Sequence, residues 1–190
     1  MRRIQKWGIA LAAITAGTQL NTTEACTRVV YQGKDNTVLT ARSMDWKEDT
    51  RSNLWIFPRG MKRNGEIGKN PLEWTSKYGS VVASAYDICS TDGMNEKGLV
   101  ANLLWLAESE YPQWDGKKPG LSIAAWVQYI LDNFATVDEA VSYVEKGTFE
   151  VVSDMMPDGT RMATLHLSIS DADGAMKKKR GGGGGGGWVR

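Results

Sequence analysis

The junction between Ala25 and Cys26 divides the sequence into two chemically different parts and sets where folding can begin. Residues 1–25 start with a basic segment, continue with an apolar run from Trp7 to Ala16, and end in a polar stretch and a small residue. This layout is typical of a secretory signal peptide, and the apolar run is too short for a membrane-spanning helix. We therefore predict that residues 1–25 are a signal peptide and that the protein is exported, either to the periplasm or into the medium.

Removal of the leader would make Cys26 the first residue, so that a thiol and a free α-amine share one residue. Both groups titrate close to neutral pH, and an N-terminal residue acting with its own amine is a known type of activated nucleophile. Two alternatives stay open: a lipoprotein signal, in which Cys26 is acylated, and a buried structural cysteine. A lipoprotein signal would place a Leu-like residue three positions before the cysteine, where this sequence has Thr23.

The charge composition indicates a small-molecule partner. The 190 residues include 23 basic and 22 acidic side chains, so the chain offers no broad positive surface for nucleic acid or an anionic membrane. Two cysteines do not indicate a disulfide framework. The single histidine and the two cysteines lack the spacing of metal ligands, so we predict no metal and no cofactor.

The segment after Cys26 predicts a β-hairpin. Residues 27–31 and 37–41 are rich in β-branched side chains and flank a polar turn at 33–36. The second strand returns past the first, which brings Arg42 and Asp45 near Cys26. Arg42 would attract a thiolate, and Asp45 would hold the α-amine through a charge-assisted hydrogen bond. The alternative is a surface arginine and aspartate without a special role.

Further along, the patterns predict more strands and two helices. Apolar residues at helical spacing predict a helix over 123–134, and Thr136 with Glu139 forms a capping box that begins a second helix. We predict a turn at Asp92–Asn95 because glycine and asparagine tolerate positive φ; direct catalytic relevance of Asp92 and Asn95 is the alternative. The remaining predicted strands are 54–57, 81–85, 99–104, 148–153 and 162–170.

Several sequence blocks together resemble the choloylglycine hydrolase family, N-terminal-nucleophile amidases that include conjugated bile salt hydrolases and penicillin V acylases. The resemblance extends from Cys26 to about Gly174. It implies an α+β fold, a four-layer αββα sandwich of which residues 26–174 would be the N-terminal portion. The blocks are residues 26–31, 41–46, 53–60, 74–81, 92–99 and 104–109.

The resemblance also implies a reaction, the hydrolysis of a linear amide by the Cys26 thiolate, with Arg42 and Asp45 as its catalytic partners. Trp105 falls at the family's oxyanion and pocket position, where its backbone N–H would stabilise the oxyanion; a plain core tryptophan is the alternative. Met61 and Ile67 lie in a loop that would line the substrate site or, alternatively, be solvated. The implied substrates are amides with a bulky apolar acyl group: conjugated bile salts, penicillin V or N-acyl homoserine lactones.

Residues 175–190 depart from the family pattern, with a basic run from Lys177 to Arg180 and seven glycines. We predict that this tail is disordered and that the chain is a truncated family member. The family's further oxyanion asparagine and second catalytic arginine cannot be assigned in it. The alternatives to an active amidase are an inactive truncated homologue and an exported lipoprotein or binding module. For full-length relatives, assembly into homo-oligomers stays open.

Overall fold

A computed structural model describes residues 26–181 and 187–189. The predicted signal peptide lies outside the described residues, and so does part of the glycine run. No helix in the described ranges combines the length and the apolar character needed to cross a membrane.

Short strands dominate the described chain, and its helices lie together between the ninth and tenth strands. The strands predicted at 54–57, 81–85 and 99–104 are confirmed to within one residue. The elements are β1 (Thr27–Gln32), β2 (Val38–Ser43), β3 (Leu54–Phe57), β4 (Lys62–Asn64), β5 (Glu73–Thr75), β6 (Ser80–Ala85), β7 (Cys89–Asn95), β8 (Val100–Trp105), β9 (Gly120–Ser122), a 3-10 helix (Ile123–Ala125), α1 (Trp126–Asn133), α2 (Val137–Val144), β10 (Glu150–Val152), β11 (Leu165–Ser170), β12 (Met176–Arg180) and β13 (Trp188–Val189).

One antiparallel sheet organises the described residues, in the order β13-β12-β11-β8-β7-β6-β3. The stretch Asp92–Asn95, predicted as a turn, lies inside β7, so that prediction is wrong. The chain reverses direction after β7 ends, at Gly98, which has a φ of +83°. The side-chain oxygen of Asn95 accepts the backbone N–H groups of Lys97 and Leu99, at 3.0 and 3.1 Å. Asn95 therefore stabilises the turn from a position within the strand.

Helix α1 packs against β7 and β8 and forms the centre of the core. Every residue from Trp126 to Asp132 is buried, so the buried surface is wider than the predicted stripe. Complete burial of an aliphatic side chain contributes about 1.5–3 kcal/mol. The helix approaches the sheet closely at Gly93, where an added Cβ would lie 2.6 Å from a side-chain carbon of Leu131. A glycine is therefore required at this point of β7.

The buried carboxylate of Asp132 fastens the β4–β5 hairpin to α1. It accepts hydrogen bonds from Trp74 Nε1 at 2.7 Å and Gln128 Nε2 at 2.8 Å, and pairs with Arg63 Nε at 3.0 Å. Burial raises the pKa of Asp132, and these three donors partly offset that effect. The loop between β4 and β5 is thus held in place from its base.

Helix α2 begins at the predicted capping box. Thr136 Oγ1 accepts the N–H of Glu139 at 3.2 Å, and the Glu139 carboxylate accepts the N–H of Ala135 at 2.8 Å. The N–H of Val137 donates to Asp171 Oδ2 at 2.9 Å. Since Asp171 directly follows β11, this bond ties the start of α2 to the end of a sheet strand.

The β1–β2 hairpin lies on the side of the sheet opposite the helices. Arg28 connects the two, because its Nε donates to Asn102 Oδ1 at 2.6 Å and its Nη2 donates to Ser170 Oγ at 2.7 Å. Burial lowers the pKa of Arg28 to about 10, although the nearby Asp92 opposes this effect. Helices, sheet and hairpin thus form successive layers, and the predicted α+β class with antiparallel sheets is confirmed.

The predicted disorder of residues 175–190 is wrong for Met176–Arg180. These residues form β12, which pairs with β11 from His166↔Arg180 to Ser170↔Met176. Trp188–Val189 pairs with β12 in turn. The edge of β11 offers backbone donors and acceptors. The backbone of a neighbouring strand can pair with them whatever its side chains are. Lys179 is buried, with its ammonium 5.9 Å from the centre of the Trp188 ring.

The Arg59–Glu96 pair makes a testable contribution to stability against acid. Both carboxylate oxygens of Glu96 accept from Arg59, and the N–H of Gly79 adds a bond of 2.8 Å. These bonds, chiefly the one from Arg59, lower the pKa of Glu96 from 4.5 to about 2. The unfolded chain therefore takes up this proton first, and stability falls as the pH drops from 4.5 towards 2.

We expect Glu96→Gln to lose less stability than the unsubstituted chain between about pH 5 and about pH 3. Urea unfolding at both pH values measures the difference. Glu73→Gln, which changes an exposed carboxylate in β5, is the matched control. An equal acid dependence in the unsubstituted and Glu96→Gln chains would contradict the assignment.

Candidate active site

A cavity of about 360 Å³ lies where the residue before β1, the loop after β2, the start of β7 and the end of β8 meet. Its walls are mainly apolar, with a few polar groups, which is typical of a small-molecule site. The lining includes Cys26, Arg42, Met44, Trp46, Tyr86, Ile88, Cys89, Leu103, Trp105, Met155, Met156, Pro157 and Leu165.

The structure brings Cys26 and Arg42 together on the wall of this cavity, as predicted from the hairpin. Residues Thr27 and Ser43 pair across the hairpin, so the start of β1 lies beside the end of β2. Cys26 is half-buried and not disulfide-bonded. Arg42 Nη2 donates to the carbonyl oxygen of Leu103, just beyond the Asp92–Asn102 pair where the β7–β8 ladder ends.

Asp92 was predicted as a structural turn residue, with direct catalytic relevance as the alternative, and it contacts Arg42. Its Oδ1 lies 3.1 Å from Arg42 Nε and accepts a 2.7 Å hydrogen bond from Asn102 Nδ2. Asn102 in turn accepts from Arg28. The Asp92 and Arg42 side chains are only 18% and 10% exposed, so this is a largely buried ion pair. Asp92 therefore orients the Arg42 guanidinium beside Cys26.

One nitrogen of that guanidinium is left for other partners. Arg42 Nη1 is buried and has no hydrogen-bond partner among the described residues. A buried unpaired donor is costly, and such groups occur at sites where a ligand supplies the partner. The arrangement gives the cavity a fixed cation with an available N–H beside the thiol.

Asp45 lies close to the start of β1 but is not among the residues that line the cavity. It is exposed, and its Oδ2 accepts from Ser43 Oγ at 3.2 Å. Ser43 Oγ accepts from the N–H of Thr27 at 3.3 Å, so one hydroxyl group connects Asp45 to the residue after Cys26. Asp45 is thus connected to Thr27 through Ser43, and its predicted bond to the Cys26 α-amine stays a prediction.

Trp105 ends β8 and lines the cavity. The N–H of Leu106 donates to the Thr164 carbonyl at 2.9 Å, which makes Leu106 and Thr164 a hydrogen-bonded antiparallel pair. The adjacent pair, Trp105 and Leu165, therefore turns its backbone groups away from each other. The Trp105 N–H thus points to the same side of β8 as the Leu103 carbonyl that Arg42 contacts.

The ring of Trp105 packs against a second tryptophan on the cavity wall. The ring centres of Trp105 and Trp46 are 5.1 Å apart, at an interplanar angle of 54°. Trp46 Nε1 donates to the Tyr86 hydroxyl at 2.9 Å, and this hydroxyl donates to Glu48 at 3.2 Å. These contacts fix one aromatic wall of the cavity.

Met61 and Ile67, predicted as possible lining residues of the substrate site, are not among the residues that line this cavity. Met61 lies at the base of the β4–β5 hairpin, where its N–H donates to Ser76 Oγ at 2.9 Å. Ile67 packs on Gly120, with its Cδ1 2.1 Å from where a Cβ would lie. Glu66, between them, is the residue of this loop that lines the cavity.

Cys89 also lines the cavity, but its environment differs from that of Cys26. The residue keeps some surface exposure, yet burial of its thiol raises the pKa to about 12. The carboxylates of Glu66 and Asp92 add to this effect. Because the thiolate is the nucleophilic form, Cys89 is expected to be unreactive near neutral pH.

Comparison with known proteins places these residues in a family. The sequence model of the linear amide C–N hydrolases, choloylglycine hydrolase family, matches residues 26–177. The chain belongs to this family. The match begins at the cysteine that lines the cavity and includes Arg42, Asp45, Asp92 and Trp105.

Two relatives are penicillin V acylases. The chain is 55% identical to the penicillin V acylase of Pectobacterium atrosepticum, covering 87% of this chain and 46% of the relative. The structure of penicillin V acylase from Agrobacterium tumefaciens matches with a TM-score of 0.77 and 59% identity, over 85% of this chain and 48% of that one. The chain therefore spans about half the length of the relatives it matches.

A more distant member has the same fold. The conjugated bile acid hydrolase from Clostridium perfringens, solved as a mutant, matches with a TM-score of 0.70 and 26% identity, over 87% of this chain and 50% of that one. These likenesses confirm the family and the fold class that the resemblance implied.

The role of Asp92 in holding Arg42 can be tested by its effect on stability. Asp92→Ala leaves the Arg42 and Arg28 guanidinium groups without their carboxylate, and we expect a loss of about 3 kcal/mol in the free energy of unfolding. Asp115→Ala removes an exposed pair with Lys117, 2.8 Å apart, and should cost much less than Asp92→Ala, because solvent screens the exposed charges. Urea unfolding measures both, and equal losses would argue against the buried pair.

Proposed function

We propose that this domain hydrolyses a linear amide with a bulky apolar acyl group, using Cys26 as an N-terminal nucleophile. One observation carries the proposal: the half-buried thiol of Cys26 and the oriented guanidinium of Arg42 line the same largely apolar cavity. Family membership supports the reaction type. The proposal includes export and removal of residues 1–25, which would give Cys26 its free α-amine.

In the first step the α-amine takes the thiol proton, and the sulfur attacks the carbonyl carbon of the amide. A C–S bond forms, and the carbonyl oxygen becomes an oxyanion. The Trp105 N–H, turned to the Arg42 side of β8, supports an oxyanion contact. The buried Nη1 of Arg42 supports an interaction with the thiolate or the developing charge.

In the second step the C–N bond breaks, and the leaving amine receives the proton from the Cys26 ammonium. The acyl group stays on sulfur as a thioester. Water then attacks the acyl carbon, the C–S bond breaks, and the thiol is restored as the acid leaves. Asp45, linked to the chain start through Ser43, is proposed to orient the α-amine during both proton transfers.

The cavity favours an acyl group with a ring. Two indoles, Tyr86 and several aliphatic side chains form its walls. The relatives named penicillin V acylase are far more similar to this chain than the bile acid hydrolase, at 55% and 59% against 26% identity. We therefore propose penicillin V-type amides as the first substrate class to test, before N-acyl homoserine lactones and conjugated bile salts.

The decisive measurement is the mass of the exported protein before and after incubation with penicillin V. We expect a chain that starts at Cys26 and a transient gain equal to one phenoxyacetyl group. A retained leader, or a lipid on Cys26, would contradict the proposal.

Hydrolysis assays test the nucleophile directly. Cys26→Ser should lower the turnover of penicillin V by at least about a thousandfold, because the serine hydroxyl remains protonated where a thiol ionises. Cys89→Ser is the matched control and should retain turnover, since the Cys89 thiol is held in its protonated form. If Cys26→Ser were as active as the unsubstituted chain, the mechanism would be wrong.

A further inference from the structure

A hairpin after β10 covers one side of the cavity. Residues 154–163, called here the 154–163 hairpin, are closed by a bridge between Met155 and Met162 and by a 2.8 Å bond from the N–H of Met156 to the Arg161 carbonyl. The turn at its tip contains Gly159, with a φ of +67°. Met155, Met156 and Pro157 line the cavity, so the hairpin is part of the acyl site.

Arg161 of this hairpin lies against both tryptophans of the aromatic wall. Its guanidinium carbon is 4.4 Å from the Trp105 ring centre and 5.0 Å from the Trp46 ring centre. Arg161 is not among the residues that line the cavity, so it supports the wall from behind. Three segments distant in sequence meet here: the loop after β2, the end of β8 and the 154–163 hairpin.

A guanidinium suits this position better than other side chains. The two indole planes are inclined at 54°, so neither ring fixes the other by flat stacking. A planar, delocalised cation attracts the electron-rich faces of both rings and can lie along them. A lysine would keep the charge without the planar contact, and a methionine would keep much of the volume without the charge.

The hairpin has a second attachment that does not involve the tryptophans. Lys47 Nζ lies 3.0 Å from Asp158 Oδ2, with the two side chains 47% and 24% exposed. Asp158 also accepts from the backbone and hydroxyl of Thr160. These contacts and the backbone bonds of the hairpin remain when Arg161 is replaced, so the fold is expected to survive the substitution.

We propose that Arg161 is a specificity-determining positioning residue. It holds Trp46 and Trp105 at a fixed inclination, so that the acyl cavity accepts a flat ring better than a puckered ring of similar size. The proposal rests on the proposed function for the identity of the acyl site. It concerns binding selectivity. A binding measurement without turnover therefore distinguishes a failure of this proposal from a failure of the proposed reaction.

The test compares the binding of phenylacetate and cyclohexylacetate, which differ in the flatness of the ring, by calorimetry on the chain without its leader. We expect the unsubstituted chain to prefer phenylacetate by roughly tenfold, and Arg161→Met to lose most of that ratio. Arg161→Lys should keep an intermediate ratio. Lys47→Met, which breaks the surface pair on the same hairpin, should leave the ratio unchanged.

The indole N–H resonances of Trp46 and Trp105 supply a second readout. Arg161→Met should shift both signals, while Lys47→Met leaves them in place. The proposal is overturned if Arg161→Met retains the selectivity, if Lys47→Met removes it equally, or if the unsubstituted chain binds neither acid. If the unsubstituted chain hydrolyses no amide but still prefers phenylacetate, the proposed reaction is overturned and the role of Arg161 stands.

Discussion

The carboxylate of Asp92 is the contact on which the arrangement of this molecule depends. It lies in the central sheet and pairs with a guanidinium that belongs to the N-terminal hairpin. Through Asn102 it also reaches Arg28, the second cation of that hairpin. Two positive charges brought to the sheet would be costly to bury without a negative partner. Asp92 therefore compensates the charges at the contact that helps to hold the hairpin, and with it Cys26, on the sheet.

Local sequence signals were sufficient for the part of the site that lies on the hairpin. The polar turn at 33–36 fixes the register between β1 and β2, and this register alone brings Arg42 beside Cys26. The helices were predictable for similar reasons, since spacing and a capping box are local properties. The strands at 54–57 and 81–85 were recognisable from β-branched and aromatic residues between turn signals.

What escaped prediction depends on contacts between distant segments. Asp92 stands next to Gly93 in a sequence that favours a turn, and only the packing of α1 on that glycine explains why the stretch is a strand. Ile67 faces Gly120 because the β4–β5 hairpin is held by Asp132, a contact with no signal in the loop itself. The lysine-rich strand β12 forms because the backbone groups at the edge of β11 are available for pairing. The composition of residues 176–180 gives no sign of this pairing.

Side chains alternate between the two faces of the sheet along β7, so a substitution on one face can alter contacts on the other. Adjacent residues of a strand face opposite sides of the sheet, so Asp92 meets the hairpin while Gly93 meets Leu131 of the helix. Any side chain at position 93 would push the helix and the strand apart, and the shift would be transmitted to the neighbouring carboxylate. A substitution in the hydrophobic core can thus displace Cys26, on the opposite side of the sheet, without contacting it.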